Sequence, residues 1–390
     1  MNTVGEPTIG IGVIGYAFMG KAHSQGWRSA RSFLRPALEP KLVALAGRDA
    51  DAVADIARRF DWQDTETDWR AVIERDDVEL VDICTPGDTH AEIAIAALQA
   101  GKHVLCEKPL ANSVAEAEAM ADAADKARAE GVRAMVGFTY RRVPALALAR
   151  SMIAAGRLGE IRHVRAQYLQ DWLTDPQAPL TWRLQAERAG SGALGDIGAH
   201  IIDLTQHVTG QRITGVSATT RTFVPERPLS DNGAGTGKVT VDDAVAFTAR
   251  FSGGALGTFE ATRFANGRKN ALRIEINGSQ GSLAFDLEEL NVLQFYDGAA
   301  GQEAGFTRIL VTEPEHPYLA GWWPPGHLLG YEHGFAHQAA DMLNAIAEGV
   351  DPEPTFADGL AVQRVIGAVQ ESAARDCVWT SIEQATEVAR

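Results

Sequence analysis

Apolar and polar positions are spaced in two different ways along this chain. In the first third, short apolar runs at 9–14, 41–46, 78–84, 102–106 and 132–137 predict strands. Between them lie longer amphipathic stretches. These predict helices from about Met19 to Ala30, from Asp49, over 89–100 and over 113–130. In the helix that Asp49 opens, Val53, Ile56, Ala57 and Phe60 fall on one face. Strands alternating with helices of this length imply right-handed crossovers and a parallel, doubly wound sheet.

After a helix near 144–155 the period changes to two. The alternating runs are 161–170, 213–224, 244–251, 255–263, 271–277, 281–286, 291–296 and 307–312. Turns such as Ser252-Gly253-Gly254 and Asn277-Gly278 join them, so antiparallel strands with one face on a core are predicted. Helical segments at 197–209 and 333–348 interrupt or follow the sheet. The fold class is therefore α/β plus α+β. A Rossmann-like parallel domain is expected over 1–140, and an open, mainly antiparallel sheet with helices over 141–390. Residues 225–240 read as a mobile loop.

Composition narrows the function. The chain has 390 residues, 45% hydrophobic and 22% charged, enough for two ordinary cores. The formal net charge of -15 argues against nucleic acid and against an anionic membrane surface. Cys84, Cys106 and Cys377 have neither disulfide nor zinc spacing, and the first two end apolar runs. They read as thiols in a reducing compartment. The opening MNTVGEPT has no charged start followed by an apolar stretch, and no apolar segment is long enough to cross a bilayer. A cytoplasmic protein is expected.

The chemistry gathers at the ends of strands. The first strand runs into Gly15-Tyr16-Ala17-Phe18-Met19-Gly20, close to the G-x-G-x-x-G turn that seats a dinucleotide pyrophosphate at a helix N-terminus. Ala17 replaces the middle glycine, and is acceptable if its φ is negative. Gly47-Arg48-Asp49 follows the second strand. An acid there suits the adenosine ribose and an arginine suits a 2′-phosphate, so NAD and NADP both remain open. Asp49 serves equally as a helix N-cap. Thr85 and Pro86, after the third strand, stand where the nicotinamide ribose passes. His90 reaches it too, or else contacts backbone at the helix start. Glu107-Lys108-Pro109 follows the fourth strand and presents an ammonium at the carboxyl end of the sheet, where ligands sit.

In the second half, Asp196 and His200 are four residues apart at the start of a helix, which puts a carboxylate and an imidazole on one face. The competing reading makes Asp196 an N-cap. Asp203 and His207 continue the face, but the four side chains would span roughly 16 Å, too far for one ion, so no metal is expected. Tyr140, Gln170 and Trp172 stand near this segment as candidate substrate contacts, and Trp182-Arg183 as candidate cofactor contacts. The aromatic, proline-rich loop 316–333 suits sugar faces, or else covers the sheet or an oligomer contact.

Taken in order, the glycine-rich turn, Glu107-Lys108-Pro109, then Asp196 and His200, with the closing Pro354 to Gly359, resemble the Gfo/Idh/MocA oxidoreductases over nearly the whole chain. Tyr168 to Trp172, Gly190 to Ile197 and Pro225 to Leu229 look like its subgroup of sugar and glycoside dehydrogenases. The resemblance implies a Rossmann domain for NAD(P), an antiparallel sheet that forms a homodimer or homotetramer interface, and a triad of Lys108, Asp196 and His200. It implies hydride transfer from a secondary hydroxyl of a sugar, glycoside or polyol, with the lysine in the cleft between the domains. Two rivals stay open. One is an NAD-dependent glycosidase working by transient oxidation and elimination. The other is a non-catalytic NAD(P)-binding protein.

Overall fold

The computed structural model describes residues 7–230 and 235–383, and each of the chain's two compact units is described by itself. The first unit opens with β1 (Thr8–Ile14), α1 (Phe18–Ser29), β2 (Glu39–Ala46), α2 (Ala50–Phe60), β3 (Asp64–Glu66), α3 (Trp69–Glu74), β4 (Leu80–Ile83), α4 (His90–Gln99), β5 (His103–Cys106), α5 (Val114–Ala129) and β6 (Ala134–Val136). Its six strands are all parallel, in the order β3-β2-β1-β4-β5-β6. This is the doubly wound dinucleotide order, in which ligands sit beyond the carboxyl ends of the strands where the winding reverses, here beside β1 and β4. Strand β3 and helix α3 are too short to leave a periodic signal and were not expected.

The second unit carries α6 (Pro144–Ala154), β7 (Ile161–Leu169), α7 (Ala186–Ala189), α8 (Ala199–Thr209), β8 (Ile213–Arg221), β9 (Glu226–Pro228), β10 (Thr236–Lys238), β11 (Ala244–Phe251), β12 (Leu256–Thr262), β13 (Ala271–Gly278), β14 (Gly281–Asp286), β15 (Val292–Asp297) and β16 (Phe306–Leu310). Then come α9 (His333–Glu348), α10 (Phe356–Ala374) and β17 (Thr380–Ser381). The large sheet has nine strands, ordered β16-β15-β14-β13-β7-β12-β11-β8-β17. Neighbours are antiparallel except β7 and β12, which run parallel. Alternate residues of β11 are buried, as the period-two pattern requires.

Two expectations change. The segment 225–240 is not all loop, because β9 and β10 pair antiparallel within it; residues 231–234 lie outside the described residues. The units also do not divide at 140/141. The first takes in residues up to Arg142 and then Ala320–Trp323 and Leu329–Leu360. The reason is packing. Helix α9 lies along α1, with Ala339, Ala340, Met342 and Leu343 in the same apolar core as Trp27, Ala30 and Leu45. A contiguous split follows the sequence; burial follows the apolar face of α9.

Helix α10 was not anticipated, although its start is marked. The Thr355 hydroxyl accepts from the Asp358 N–H (3.2 Å), and the Asp358 carboxylate accepts from the Thr355 N–H (3.0 Å). This is a reciprocal cap with Asp in place of the usual Glu.

Candidate active site

The glycine-rich turn is shaped by two close approaches. Gly15 has φ +112°, and a Cβ there would stand 2.6 Å from the Cys84 carbonyl oxygen. A Cβ on Gly20 would meet the Gly15 carbonyl oxygen at 1.9 Å, so α1 begins hard against the turn. Ala17 has φ -74° and extended ψ, a conformation open to any L-residue, so the missing middle glycine costs the turn nothing. No side chain caps α1 and no acid stands in its first turn. Its free N–H groups therefore form an anion cradle of the kind that holds a pyrophosphate. Phe18, exposed at this end, stacks with Tyr331 at 6.4 Å between ring centres. Met19 packs against the core below.

Arg48 and Asp49 are exposed at the end of β2. The Asp49 carboxylate accepts the Ala52 N–H at 3.1 Å, so the capping role is real whatever else the residue does. Thr85 and Pro86 lie half-buried after β4. His90 makes the backbone contacts of its second reading. It is buried, and its ring nitrogens stand 2.9 Å from the Thr85 carbonyl and 3.1 Å from the Pro109 carbonyl. It ties the Thr85 loop to the Lys108-Pro109 loop, with the ring turned inward by the packing of α4. Lys108 follows β5 by two residues and is half-buried. Its N–H donates to its neighbour Glu107 (3.1 Å), whose carboxylate is itself buried. Tyr140 is buried in the first unit and hydrogen-bonded to Tyr331, whose phenol is pushed upward by burial.

In the second unit, Asp196 is not an N-cap. It lies inside a π turn, Leu194–Gly198, that runs straight into α8. Such widened turns occur often at functional sites. The Asp242 carboxylate shapes this one by accepting the N–H groups of Gly192 (2.7 Å) and Leu194 (2.9 Å). Burial raises the Asp242 pKa, and those two donors oppose the shift. Close approach to the Asp242 carbonyl also demands glycine at 192, where a Cβ would be 1.7 Å away. Asp196 keeps some exposure and faces the buried Arg263 guanidinium at 3.5 Å. His200 is buried with its ring 5.8 Å from that of Tyr168.

From Tyr168 a polar chain leads outward. Asn270 Oδ1 accepts from the Tyr168 hydroxyl (2.7 Å) and from Gln170 (2.8 Å), and Gln170 Oε1 accepts from the exposed Trp172 indole (2.9 Å). Arg263 sits over the Trp172 ring at 5.5 Å. Thus Gln170, Trp172, Asp196 and His200 do come together, with Arg263, Asn270 and Asp242 added. Sequence reading missed these three because each is a polar residue just outside a strand, with no spacing to tie it to Asp196 or His200. Trp182 and Arg183 form a short turn in which the guanidinium stacks on the indole at 4.4 Å. His207, further along α8, contacts Arg150 instead of sharing a site with Asp196.

This geometry agrees with similarity to known proteins. Residues 9–138 match the oxidoreductase family with an NAD-binding Rossmann fold, and residues 146–284 match the GFO/IDH/MocA C-terminal domain. Levoglucosan dehydrogenase of Pseudarthrobacter phenanthrenivorans is 43% identical over 96% of this chain and 98% of its own. The chain belongs to the GFO/IDH/MocA oxidoreductase family. Among solved members, an oxidoreductase domain protein from Kribbella flavida is 67% identical, with a TM-score of 0.94 over 97% of this chain and 100% of that one. Levoglucosan dehydrogenase in complex with NADH and levoglucosan is 42% identical, with a TM-score of 0.92 over the same shares. The first unit is therefore an NAD-binding Rossmann domain and the protein an oxidoreductase, as the turn at Gly15 and the strand order require.

Proposed function

We propose that this GFO/IDH/MocA member is an NAD(P)-dependent dehydrogenase that oxidises a secondary hydroxyl of a sugar, glycoside or polyol. The observation that carries the reading is the second-unit cluster. A buried imidazole against Tyr168, a partly exposed carboxylate against Arg263, and a solvent-facing indole tied to Tyr168 through Gln170 and Asn270 suit a polyhydroxylated ring.

NAD(P), when bound, accepts hydride from the alcohol carbon. Gly15 to Gly20, Arg48, Asp49, Thr85 and Pro86 would hold it, and Trp182 and Arg183 are further contacts in this proposal. His200 removes the hydroxyl proton onto a ring nitrogen. Asp196 orients that hydroxyl and stabilises the imidazolium. Lys108 donates a hydrogen bond to the reacting oxygen and stabilises negative charge as it develops. Gln170, Trp172 and Tyr140 are assigned to the sugar. Levoglucosan, the ligand of the 42% identical relative, heads the candidate substrates. Free cysteines support a cytoplasmic setting, and among the described residues no helix is long and apolar enough to cross a membrane. The open face of the nine-stranded sheet, with Arg165, Arg273 and Glu275, is assigned to a homodimer or homotetramer contact.

The test is a panel of anhydrosugars, glycosides and inositols, run with NAD and with NADP. Reduced nicotinamide accumulating in step with a ketone product is expected. Glycoside cleavage without net reduction, or binding without turnover across the panel, would overturn the reading.

A further inference from the structure

Beneath the Lys108 loop lies a buried ionic cluster that the mechanism above does not use. His23 of α1 has Nδ1 at 2.9 Å from both carboxylate oxygens of Asp82 in β4, and Nε2 at 2.9 Å from Oε1 of Glu107. The three side chains are at most 5% exposed. Trp27 donates its indole N–H to Asp82 at 2.8 Å, and the Cys84 thiol donates to it at 3.6 Å. Glu107 Oε2 accepts the Lys108 N–H at 3.1 Å.

A neutral imidazole has one N–H, yet both of these nitrogens meet carboxylates. The arrangement is satisfied when the ring carries two protons. Burial is the largest influence and opposes that charge, but Asp82 and Cys84 together outweigh it, and the His23 pKa is raised well above its ordinary value. Burial, with Asp82 beside it, holds the Cys84 thiol protonated, pushed up to about 12. The other groups facing the ring are Phe335 at 5.4 Å and, further off, Tyr331.

Two buried carboxylates and a buried imidazolium are a costly way to fill a core, and apolar residues of similar volume are often as stable. What such a set supplies is fixed geometry. Here the geometry ends on the backbone N–H of Lys108.

We propose that His23 is a positioning residue for Lys108: held as a doubly protonated ring between Asp82 and Glu107, it fixes the carboxylate that anchors the Lys108 backbone, and so aims the lysine ammonium. The proposal rests on the reading of Lys108 given above. A metal at His23, Asp82 and Cys84, which lie close enough together for one, would have to displace these hydrogen bonds, and nothing in the structure calls for it.

The test is a double-mutant cycle on the full-length protein, with levoglucosan or whichever panel alcohol turns over fastest. His23→Asn keeps one donor but cannot span both acids. It is expected to lower kcat about tenfold or more while sugar KM and NADH Kd stay within about twofold. In a Lys108→Ala background the same change should cost nothing further. Native kcat in His23→Asn, or an undiminished loss when added to Lys108→Ala, overturns the inference and leaves the reading of Lys108 standing. Native turnover in Lys108→Ala removes both.

If His23→Asn does not fold, two measurements still decide. Glu107→Gln should show the same non-additivity with Lys108→Ala. In wild-type protein with 15N-labelled histidine, both His23 ring nitrogens should be protonated at about pH 7.5, where ordinary histidines are neutral. A singly protonated ring there overturns the proposal.

Discussion

At the cofactor turn, two small residues two positions apart carry opposite constraints. Gly15 combines a positive φ with a carbonyl oxygen 2.6 Å from where a Cβ would stand, whereas Ala17 is ordinary extended backbone. Gly15→Ala is therefore expected to cost about 2 kcal/mol or more and to weaken NADH binding. Ala17→Gly should leave stability within about 0.5 kcal/mol. Thermal unfolding and an NADH titration separate the two. Lys108→Ala should lower kcat by about 10²-fold or more, the scale of one lost oxyanion donor, with NADH affinity nearly unchanged; native turnover would remove its assigned role. Lys108 was legible because a charge ending an apolar strand is conspicuous. His90 and Asp196 were only half legible, since their neighbours in space, the Pro109 carbonyl and the Arg263 guanidinium, are distant in sequence. Asp82 did leave a signal: a carboxylate inside the apolar run 78–84 must find buried partners.

Among the elements, the docking of α9 on α1 depends on a small residue. A Cβ on Gly26 would lie 2.9 Å from the backbone of Phe335. Gly26→Ala should destabilise the first unit by roughly 1–3 kcal/mol through overpacking, despite the better helix propensity of alanine. A melting temperature at or above wild type would contradict this packing. In the second unit, the π turn that carries Asp196 is held by the Asp242 carboxylate. Asp242→Ala leaves two N–H groups without their acceptor, so both stability and kcat should fall, readable by denaturant unfolding and initial rates. Strands were read well where period two spanned a whole element, as over 244–251 and 281–286. β3, α3 and β17 escaped because a few residues make no period.

For the molecule as a whole, acid stability turns on a histidine that the proposed chemistry does not use. His337 is buried; Nε2 accepts the Trp322 indole N–H at 2.7 Å, which leaves Nδ1 to donate to the Arg142 carbonyl at 3.0 Å. Burial pushes its pKa down to about 3. The unfolded chain takes up that proton near pH 6.5 and the folded one only near 3, so acidification through this window favours unfolding, by about 4 kcal/mol at the low end. His337→Gln should flatten the acid limb of a stability profile, and an unchanged limb would show that other groups set it.

The sequence by itself determined the two kinds of sheet, the cofactor turn and the triad candidates. These are local: period, turn chemistry and a motif at a strand end are written in consecutive residues. Only the tertiary structure decided that α9 joins the Rossmann core, that Asp196 sits in a π turn shaped by Asp242, and that His23, Asp82 and Glu107 share one buried cluster below Lys108. Each of these joins residues far apart in the chain, and their burial, hydrogen bonding and charge exist only once the strands are side by side.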